Sequence, residues 1–504
     1  MKSKRPVMFI ILDGWGIGTD DAHNAIFLAK TPTIDSFLAN YPNKPIGAAG
    51  PHIGLPQGHP GSTEMGHLIM GAGRNLLLPQ MQLLQAIATG DIRKNPVLLK
   101  AIQQAVTGTG RLHLMGLISD GGVHTYDTAC HELVAMAKAG GVKDVFIHAI
   151  TDGRDVPPTS ARQYVAKLGN DVATLQGRWW VMDRDHRWER IEAAYKLLVL
   201  GEGLHQANSA DAAITTAYAR GETDEFIQPT IINPDGIMRD GDVVINFNFR
   251  IDREIEITQA LIEPGFKHFT RRTVPKLHYV GMSEYYTDMP APAALARVEL
   301  AAKNILGEVL SKRGYSQLRL TETEKWVYVT KIFNVMREDP FPGEERVLIP
   351  SDKIATYDLK PAMQAEAIAA EAVKHLKSDA FDVYVMNFPN ADMLGHTGNK
   401  PATILGVEAI DRALHIIYQE LKVHDGVMII TADHGDAEVM WDPTYNCPHT
   451  FHTDSFVPFI LIDDQHKQAK LRDDGTLKDC AATILDILGE PKPVDMTGTS
   501  LIIH

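Results

Sequence analysis

The sequence of 504 residues predicts an α/β fold built on mostly parallel sheets. Short, continuous apolar runs such as VMFIIL have the length and composition of strands that are buried on both faces. Such strands are typical of parallel sheets that helices cover on both sides. The runs alternate with amphipathic segments of helical length, as in repeated strand–helix–strand units.

The predicted elements follow one another in two series. The first 75 residues contain one strand, one helix and the glycine-rich stretch GLPQGHPGSTEMGHLIMGAG. From about residue 80 to residue 290, strands and helices alternate, and the Pro/Ala-rich stretch from Met289 has the composition of a linker that enters a helix. The alternation then resumes through AFDVYVMNF, GVMIITADHG and FVPFILID.

Composition excludes several classes of protein. A hydrophobic fraction of 44% and a charged fraction of 22% are those of an ordinary globular protein, and a net charge of −14 argues against nucleic-acid and membrane-surface binding. Three cysteines give neither a disulfide framework nor a zinc-finger spacing. The apolar run near the N-terminus is too short for a signal peptide, and no run is long enough to span a membrane. We therefore expect a cytoplasmic enzyme.

Metal-binding side chains follow several of the predicted strands. They are Asp13, Thr63, Asp392, His396, Asp433, His434 and His452. A single Asp of this kind could be a helix cap and a single His could be structural, but the adjacent pair Asp433–His434 favours metal binding. In α/β sheets the carboxyl ends of the strands face the ligand site, and mixed Asp/His sets suit two ions such as Mn²⁺ or Zn²⁺. Two ions about 4 Å apart form a clamp for phosphoryl or sulfuryl transfer.

The positions of these residues predict the domain organisation. All of them lie before residue 70 or after residue 390. We therefore expect a discontinuous metal-binding domain of residues 1–75 plus 296–504, with residues 76–295 inserted as a second α/β domain.

The glycine-rich stretch places Ser62 and Thr63 between Gly61 and Gly66. A hydroxyl at such a strand-to-helix turn can be a metal-activated nucleophile, because the helix that follows stabilises an anion at its N-terminus. The same residues are also good helix caps. Beside two metal ions, the nucleophile is the favoured interpretation.

The inserted segment is rich in arginines that lie in turns. They are Arg154, Arg184, Arg187, Arg190, Arg250 and Arg253. Arginine suits bidentate recognition of phosphate and carboxylate, although most charged runs are solvated faces. His124, after a double-glycine turn, suits a proton shuttle. Lys325, at the end of a predicted strand, could bind an anion or pair with a neighbouring Glu.

Many short motifs also occur in the order of one family. They include SDGGVH, DGRDVPP, TETEK, NADMLGHTG and TADHGDAE, and they extend from ILDGWG to DMTGTSLI, which is essentially the whole chain. On these motifs the sequence resembles the cofactor-independent phosphoglycerate mutases, of the alkaline-phosphatase superfamily. The resemblance implies an alkaline-phosphatase-like, mostly parallel sheet sandwiched by helices, with a second α/β domain inserted.

The resemblance also implies an activity, the interconversion of 2-phosphoglycerate and 3-phosphoglycerate in glycolysis and gluconeogenesis, without a bisphosphoglycerate cofactor. It implies two divalent ions, Mn²⁺ or alternatively Mg²⁺, Co²⁺ or Zn²⁺. One ion would be held by Asp392, His396 and His452, and the other by Asp13, Asp433, His434 and the nucleophile Thr63. The implied substrate-binding residues are His124, Arg154, Asp155, Arg184, Arg190, Arg250, Arg253 and Lys325. His124 and Asp155 would transfer protons, and we expect a monomer whose partner is the small phosphoglycerate.

Two positions depart from the family pattern. The family has Gly-Asn-Ser-Glu at the nucleophile, whereas this chain has Ser62 and Thr63 in the middle two places, so Thr63 carries an added methyl group. The family usually has a His where this chain has Tyr328. A homologue recruited to a phosphonate or other phospho-acid, or a metal-dependent phosphohydrolase, therefore stays an alternative. The complete metal set argues against a non-catalytic binding protein.

The predicted imidazole ligands also give an expected pH dependence. They must be neutral to bind a metal, so we expect activity to depend on a divalent metal and to fall as the pH drops through the low sixes.

Overall fold

The computed structural model describes residues 5–76, 79–295, 303–443 and 446–504. In chain order, the strands within these ranges are β1 (Val7–Leu12), β2 (Asn43–Ile46), β3 (Arg111–Leu117), β4 (Asp144–Thr151), β5 (Val172–Gly177), β6 (His205–Gln206), β7 (Thr230–Ile231), β8 (Val243–Asn246), β9 (His278–Gly281), β10 (Gln317–Glu322), β11 (Glu344–Ile349), β12 (Val383–Phe388), β13 (Val427–Thr431), β14 (Trp441–Asp442), β15 (Cys447–Pro448), β16 (Val457–Ile462), β17 (Lys470–Leu471) and β18 (Ile502–Ile503).

The α-helices of the same ranges connect these strands. They are α1 (Ala25–Leu28), α2 (Pro32–Asn40), α3 (Thr63–Ala72), α4 (Pro79–Thr89), α5 (Pro96–Thr107), α6 (Asp127–Ala139), α7 (Ala161–Val165), α8 (Arg178–Val181), α9 (Trp188–Tyr195), α10 (Ala210–Ala219), α11 (Ile255–Ile262), α12 (Leu306–Lys312), α13 (Ala365–Lys377), α14 (Asn390–Gly395), α15 (Lys400–Val423) and α16 (Asp479–Ile487). None of them has the length and apolar character that crossing a membrane requires, as far as the described residues extend.

The chain separates into two compact units. The first consists of Met1–Leu76 and Leu300–His504, and the second of Leu77–Glu299. The helix expected after Met289 and the expected domain boundary at residue 296 fall on residues 296–302, which lie outside the described residues.

The first unit is built on a sheet whose described strands have the order β11-β10-β12-β1-β13-β16-β2. The strands from β11 to β13 are parallel to their neighbours. All six residues of β1 are buried, as its continuous apolar sequence predicts for a central strand. The long helix α15 of this unit begins after Asn399. The side chain of Asn399 accepts a hydrogen bond from the N–H of Ala402 and so caps the helix.

The second unit contains another sheet, with the described strand order β6-β7-β5-β4-β3-β8-β9. Its central strands β5, β4, β3, β8 and β9 run parallel to one another, and β6 runs parallel to β7. Among the described strands of this sheet, only the pairing of β5 with β7 is antiparallel. The predicted α/β class with mostly parallel sheets is therefore confirmed in both units.

β16, the stretch FVPFILID, pairs antiparallel with both β13 and β2, which is compatible with a mostly parallel sheet. β8 ends at Asn246, four residues before Arg250. The reason is local, because the side-chain amides of Asn246 and Asn248 both donate to the buried carboxylate of Glu254 and fold the chain out of the strand.

Candidate active site

Three neighbouring strands of the first unit deliver acidic and histidine side chains to one edge of the sheet. β1 pairs with β12 on one side and with β13 on the other, so the turns that follow these strands are adjacent. Asp13 follows β1, the pair Asp433–His434 follows β13, and Asp392 lies in α14, the helix that follows β12. At Gly14, φ is +75° and a Cβ atom would lie 2.7 Å from Asp392 Cα, so only glycine lets the turn after β1 come this close to α14.

The hydroxyl of Thr63, the first residue of α3, lies at this edge. Thr63 Oγ1 is 3.0 Å from His434 Nε2 and 3.3 Å from Asp13 Oδ1. Ser62 is the N-cap, and its side chain accepts a hydrogen bond from the N–H of Met65 at 3.3 Å. The two interpretations from the sequence thus fall on different residues, since Ser62 caps the helix and Thr63 faces the acidic cluster. The positive end of α3 favours an anion on the Thr63 hydroxyl.

Lys325 connects the carboxylates to this hydroxyl. Its Nζ donates to Asp13 Oδ1 at 2.8 Å, to Asp392 Oδ2 at 2.6 Å and to Thr63 Oγ1 at 2.9 Å. Burial lowers the pKa of Lys325, but the charges of Asp13, Asp392 and Asp433 outweigh it and raise the pKa above its ordinary value. Lys325 is therefore a buried cation of the acidic cluster. Its suggested pairing with a neighbouring Glu is wrong.

The two outer histidines direct the same ring nitrogen toward Asp392. His396 Nδ1 lies 2.8 Å from the carbonyl oxygen of Thr450, and His452 Nδ1 lies 3.1 Å from that of Gly61. A carbonyl only accepts, so each Nδ1 carries a hydrogen and Nε2 is the nitrogen that could bind a metal. Both Nε2 atoms face Asp392 Oδ1, at 3.3 Å and 3.2 Å. This is the arrangement in which imidazoles bind a divalent ion.

Side chains of the first unit form three overlapping groups with metal-binding geometry. In each group, one nitrogen or oxygen atom from every member lies within 4.8 Å of the others. The groups are Asp392, His396, Asp436 and His452; Asp13, Asp392 and His434; and Asp13, His67 and Asp433. Every Asp and His predicted as a ligand is among them. The sequence analysis did not predict His67 or Asp436. His67 lies in the glycine-rich stretch that also contains Thr63, and Asp436 lies in the motif TADHGDAE, which also contains the pair Asp433–His434.

Negative charge keeps protons on two of the imidazoles. Burial lowers the pKa of His434, but Asp433 and its neighbouring carboxylates outweigh it and raise the pKa to about 10. Burial and Asp392 oppose each other in the same way at His396, whose pKa rises to about 9. A metal must displace these protons before it can bind the two imidazoles. The affinity should still be rising with pH well above neutrality.

In the second unit, the turns after the adjacent strands β3, β4 and β5 bring together His124, Asp155 and Arg178. Arg178 Nη2 donates to His124 Nε2 at 2.7 Å, and Nη1 donates to Asp152 Oδ1 at 2.7 Å and also to Asp155 Oδ2. The sequence analysis missed Arg178, which is 3% exposed and directly follows β5. The available signal was its place at the end of a strand.

This arrangement fixes the charge state of His124. Burial, followed by the charges of Arg178 and Arg250, lowers the pKa of His124 to about 2. The ring is therefore neutral, with Nε2 accepting from Arg178 and with Nδ1 free of hydrogen-bond partners among the described residues. Because Nε2 accepts, Nδ1 carries the hydrogen, so the single lone pair of the ring is engaged by Arg178 and is free for a proton only after that contact breaks.

A cavity of about 230 Å³ in the second unit is lined mainly by guanidinium groups. The arginines are Arg154, Arg178, Arg184, Arg187, Arg190 and Arg253. Three acidic residues, Asp183, Asp185 and Glu225, also line the cavity, so positive charge is in excess there despite a net charge of −14 for the chain. The cavity therefore suits an anion.

The predicted arginines differ in how they are held. Arg190 stacks on the Trp179 ring at 3.7 Å, and Arg253 donates to the carbonyl oxygen of Met182 at 2.8 Å. Arg250 is outside the cavity lining, and its Nε pairs with Asp252 at 2.8 Å. Asp252 also binds Arg184 at 2.7 Å, so this carboxylate links Arg250 to the cavity.

The chain is similar over its whole length to curated proteins. It is 45% identical to the 2,3-bisphosphoglycerate-independent phosphoglycerate mutase 1 of Methanosarcina acetivorans, with 100% of this chain and 99% of that protein covered. It is 43% identical to the 2,3-bisphosphoglycerate-independent phosphoglycerate mutase of Pseudomonas putida, with 99% of each covered. A family model described as the BPG-independent PGAM N-terminus matches residues 83–287. A crystal structure of Leishmania mexicana phosphoglycerate mutase at low cobalt concentration matches with a TM-score of 0.75 and 33% identity, covering 99% of this chain and 98% of that one.

Proposed function

Because this chain belongs to the 2,3-bisphosphoglycerate-independent phosphoglycerate mutases, a family of isomerases, we propose that it interconverts 2-phosphoglycerate and 3-phosphoglycerate through a phosphoenzyme on Thr63. One observation carries the proposal. Thr63 Oγ1 lies 3.0 Å from His434 Nε2 and 2.9 Å from Lys325 Nζ, at the N-terminus of α3. A hydroxyl there has a cation beside it and a helix end that stabilises the phosphate it would receive.

The acidic cluster fits two divalent ions, for which we propose Mn²⁺. The support is the orientation of the imidazoles and the presence of four buried carboxylates, those of Asp13, Asp392, Asp433 and Asp436. Within the described residues, Lys325 is the only lysine or arginine at hydrogen-bond distance from them. Asp392, His396 and His452 would hold one ion, and Asp13, Asp433, His434 and Thr63 the other. When bound, such ions lower the pKa of a coordinated hydroxyl and neutralise the charge of a transferring phosphoryl group.

The residues of the first unit act on the phosphoryl group. Lys325 binds its oxygens as a point charge. Thr63 Oγ1 loses its proton and forms the new P–O bond while the bond to the glycerate oxygen breaks, and that oxygen takes up a proton as it leaves. In the return step the other glycerate hydroxyl loses its proton and attacks the phosphothreonine, which releases Thr63. Both steps leave the number of phosphoryl groups unchanged, so no bisphosphoglycerate is needed.

The residues of the second unit act on the glycerate. Guanidinium groups such as Arg154, Arg190 and Arg253 bind its carboxylate, because their forked donors match a planar anion. We assign proton transfer to His124 and Asp155, and His124 Nε2 can accept the proton of the attacking glycerate hydroxyl once Arg178 Nη2 leaves it. The carboxylate contacts keep the glycerate bound while Thr63 carries the phosphoryl group.

A coupled assay tests the proposed reaction. The full chain, loaded with Mn²⁺, is given 3-phosphoglycerate without bisphosphoglycerate, and enolase reports the 2-phosphoglycerate formed. We expect turnover, loss of phosphoenzyme in Thr63→Ala, and equal or higher activity in Thr63→Ser because the β-methyl group is removed. Ser62→Ala is the matched control, and its phosphopeptide map should still show label on residue 63.

Two results would overturn the proposal. Label on Ser62, or turnover by Thr63→Ala, would show that Thr63 is not the nucleophile. Labelled Thr63 with release of inorganic phosphate instead of 2-phosphoglycerate would show a phosphohydrolase.

A further inference from the structure

Asp436 is a buried carboxylate that the proposed mechanism does not use. It lies two residues after His434 and is 0% exposed. Its backbone N–H donates to Glu438 Oε2 at 2.8 Å, but neither Oδ1 nor Oδ2 accepts a hydrogen bond from any described residue. An ionised carboxylate that is buried without donors is strongly destabilised, so such a group either holds a proton or is compensated by a cation.

The nearest donor is committed elsewhere. His396 Nδ1 is 3.6 Å from Asp436 Oδ2, which is too far for a hydrogen bond, and donates to the carbonyl oxygen of Thr450 at 2.8 Å. Asp436 therefore does not serve to orient His396. The carboxylate is packed against Gly395, where a Cβ atom would be 2.1 Å from Asp436 Oδ1. It is thus held against the last residue of α14, the helix that contains Asp392.

The position of Asp436 matches that of a ligand. One atom each from Asp392, His396, Asp436 and His452 lies within 4.8 Å of the other three. Donor atoms that share one ion at about 2.0–2.2 Å are at most about 4.4 Å apart, so a small side-chain adjustment brings all four onto one ion.

We propose that Asp436 is a fourth protein ligand of the ion held by Asp392, His396 and His452. The inference rests on the proposed two-metal site and adds a ligand to it. Two carboxylates and two neutral imidazoles balance the charge of a divalent ion, whereas the three-ligand set leaves one positive charge. The added carboxylate should therefore tighten the binding of this ion, and carboxylate ligands favour Mn²⁺.

Asp436→Asn tests the proposal, because the amide has the shape of the carboxylate but not its charge. The full chain is freed of metal and titrated with Mn²⁺, with free Mn²⁺ followed by its electron paramagnetic resonance signal. Titration with Co²⁺ gives the absorption spectrum of each site. We expect two bound ions in the wild type. In Asp436→Asn we expect one site to lose at least about tenfold in affinity and to change its Co²⁺ spectrum, while the other is unchanged.

Thermal melting separates this role from a structural one. Replacing an unpaired buried carboxylate should leave the metal-free protein equally stable or more stable, and should reduce the stabilisation that Mn²⁺ confers. Asp411→Asn is the matched control. Asp411 is a buried carboxylate of the same unit that accepts hydrogen bonds from the N–H groups of Thr33 and Ile34 at 3.1 Å and 2.9 Å. Asp411→Asn should lower stability and keep wild-type metal affinities.

The outcomes discriminate between the inference and the proposed function. Unchanged Mn²⁺ affinities and Co²⁺ spectra in both Asp436→Asn and Asp436→Ala would overturn the inference and leave the two-metal site standing. The same holds if Asp436→Asn lowers only the stability of the metal-free protein, as the control does. A wild type that binds fewer than two ions would overturn the two-metal site, and the inference with it.

Discussion

Replacing Arg178 with Met should both destabilise the second unit and change the protonation of His124. The guanidinium is 3% exposed and contacts Asp152 Oδ1 and His124 Nε2, each at 2.7 Å, as well as Asp155. Removing one partner of a buried ion pair costs about 3–5 kcal/mol. Asp152 keeps hydrogen bonds from Ser119 and from two backbone N–H groups, so we expect the lower end, about 3 kcal/mol. In a unit of this size that is a loss of about 6–12 °C in melting temperature.

The effect on His124 has a definite sign. The pKa of His124 is lowered to about 2 by burial and then by the charge of Arg178, so without Arg178 the pKa rises toward its ordinary value. If neutral His124 accepts the proton, activity in Arg178→Met should be lost as the pH falls through this higher pKa, a limb that the wild type shows only in stronger acid. The histidine ring signals in nuclear magnetic resonance and the pH–rate profile measure the shift. Arg178→Lys, which keeps the positive charge, should keep His124 neutral. An Arg178→Met protein with the wild-type melting temperature and an unmoved His124 titration would refute the reasoning.

The remaining predictions concern the metal ions, the helix cap and the arginine cavity. Mn²⁺ affinity should rise between pH 6 and 9, because the metal displaces protons from His396 and His434, whose pKa values are about 9 and about 10. Isothermal titration calorimetry measures this, and binding without pH dependence or proton release would contradict it. Exhaustive chelation should abolish activity and Mn²⁺ should restore it, whereas full activity of verified metal-free protein would exclude metal catalysis. Ser62→Ala should lower the free energy of unfolding by about 1 kcal/mol through loss of the cap on α3 and leave labelling of Thr63 intact. Arg253→Ala should reduce kcat/KM by two or more orders of magnitude, or about 3 kcal/mol, and leave the metal content at the wild-type level. Arg93→Ala is the control, because it removes an exposed arginine paired with Glu132, and it should have little effect on kcat/KM.

The sequence predicted the acidic cluster because its residues follow directly on apolar runs. Asp13 and Asp433 end two adjacent central strands, and in a parallel sheet such ends must meet. Thr63 is distant from Asp13 in the sequence, but it could be predicted independently of Asp13 because it lies in a glycine-rich turn. Arg178 follows a strand too, but VATLQG ends in a polar and a glycine residue and is less apolar than VMFIIL. The weaker strand signal hid the arginine at its end.

Other features depend on which side chain pairs with which, and no periodic pattern records this. β8 ends at Asn246 because the side-chain amides of Asn246 and Asn248 donate hydrogen bonds to the carboxylate of Glu254, eight and six residues further along the chain. Lys325 could have paired with a neighbouring Glu on sequence grounds, yet it contacts Asp13, 312 residues away. Pairing of this kind is set by the folded backbone.

The same pairing explains how the two proposed sites can divide the chemistry. In the first unit, buried carboxylates outnumber the fixed cations, which holds protons on His434 and favours divalent ions. In the second unit, arginines outnumber acids around the cavity, and burial together with Arg178 keeps His124 neutral. The pKa values of His434 and His124 are therefore shifted in opposite directions within one chain. The phosphoryl group needs the first environment, where metal ions can neutralise it, and the glycerate carboxylate needs the second. An excess of negative charge that holds metals would repel a carboxylate, so retaining the glycerate during the phosphoenzyme stage requires a separate basic site.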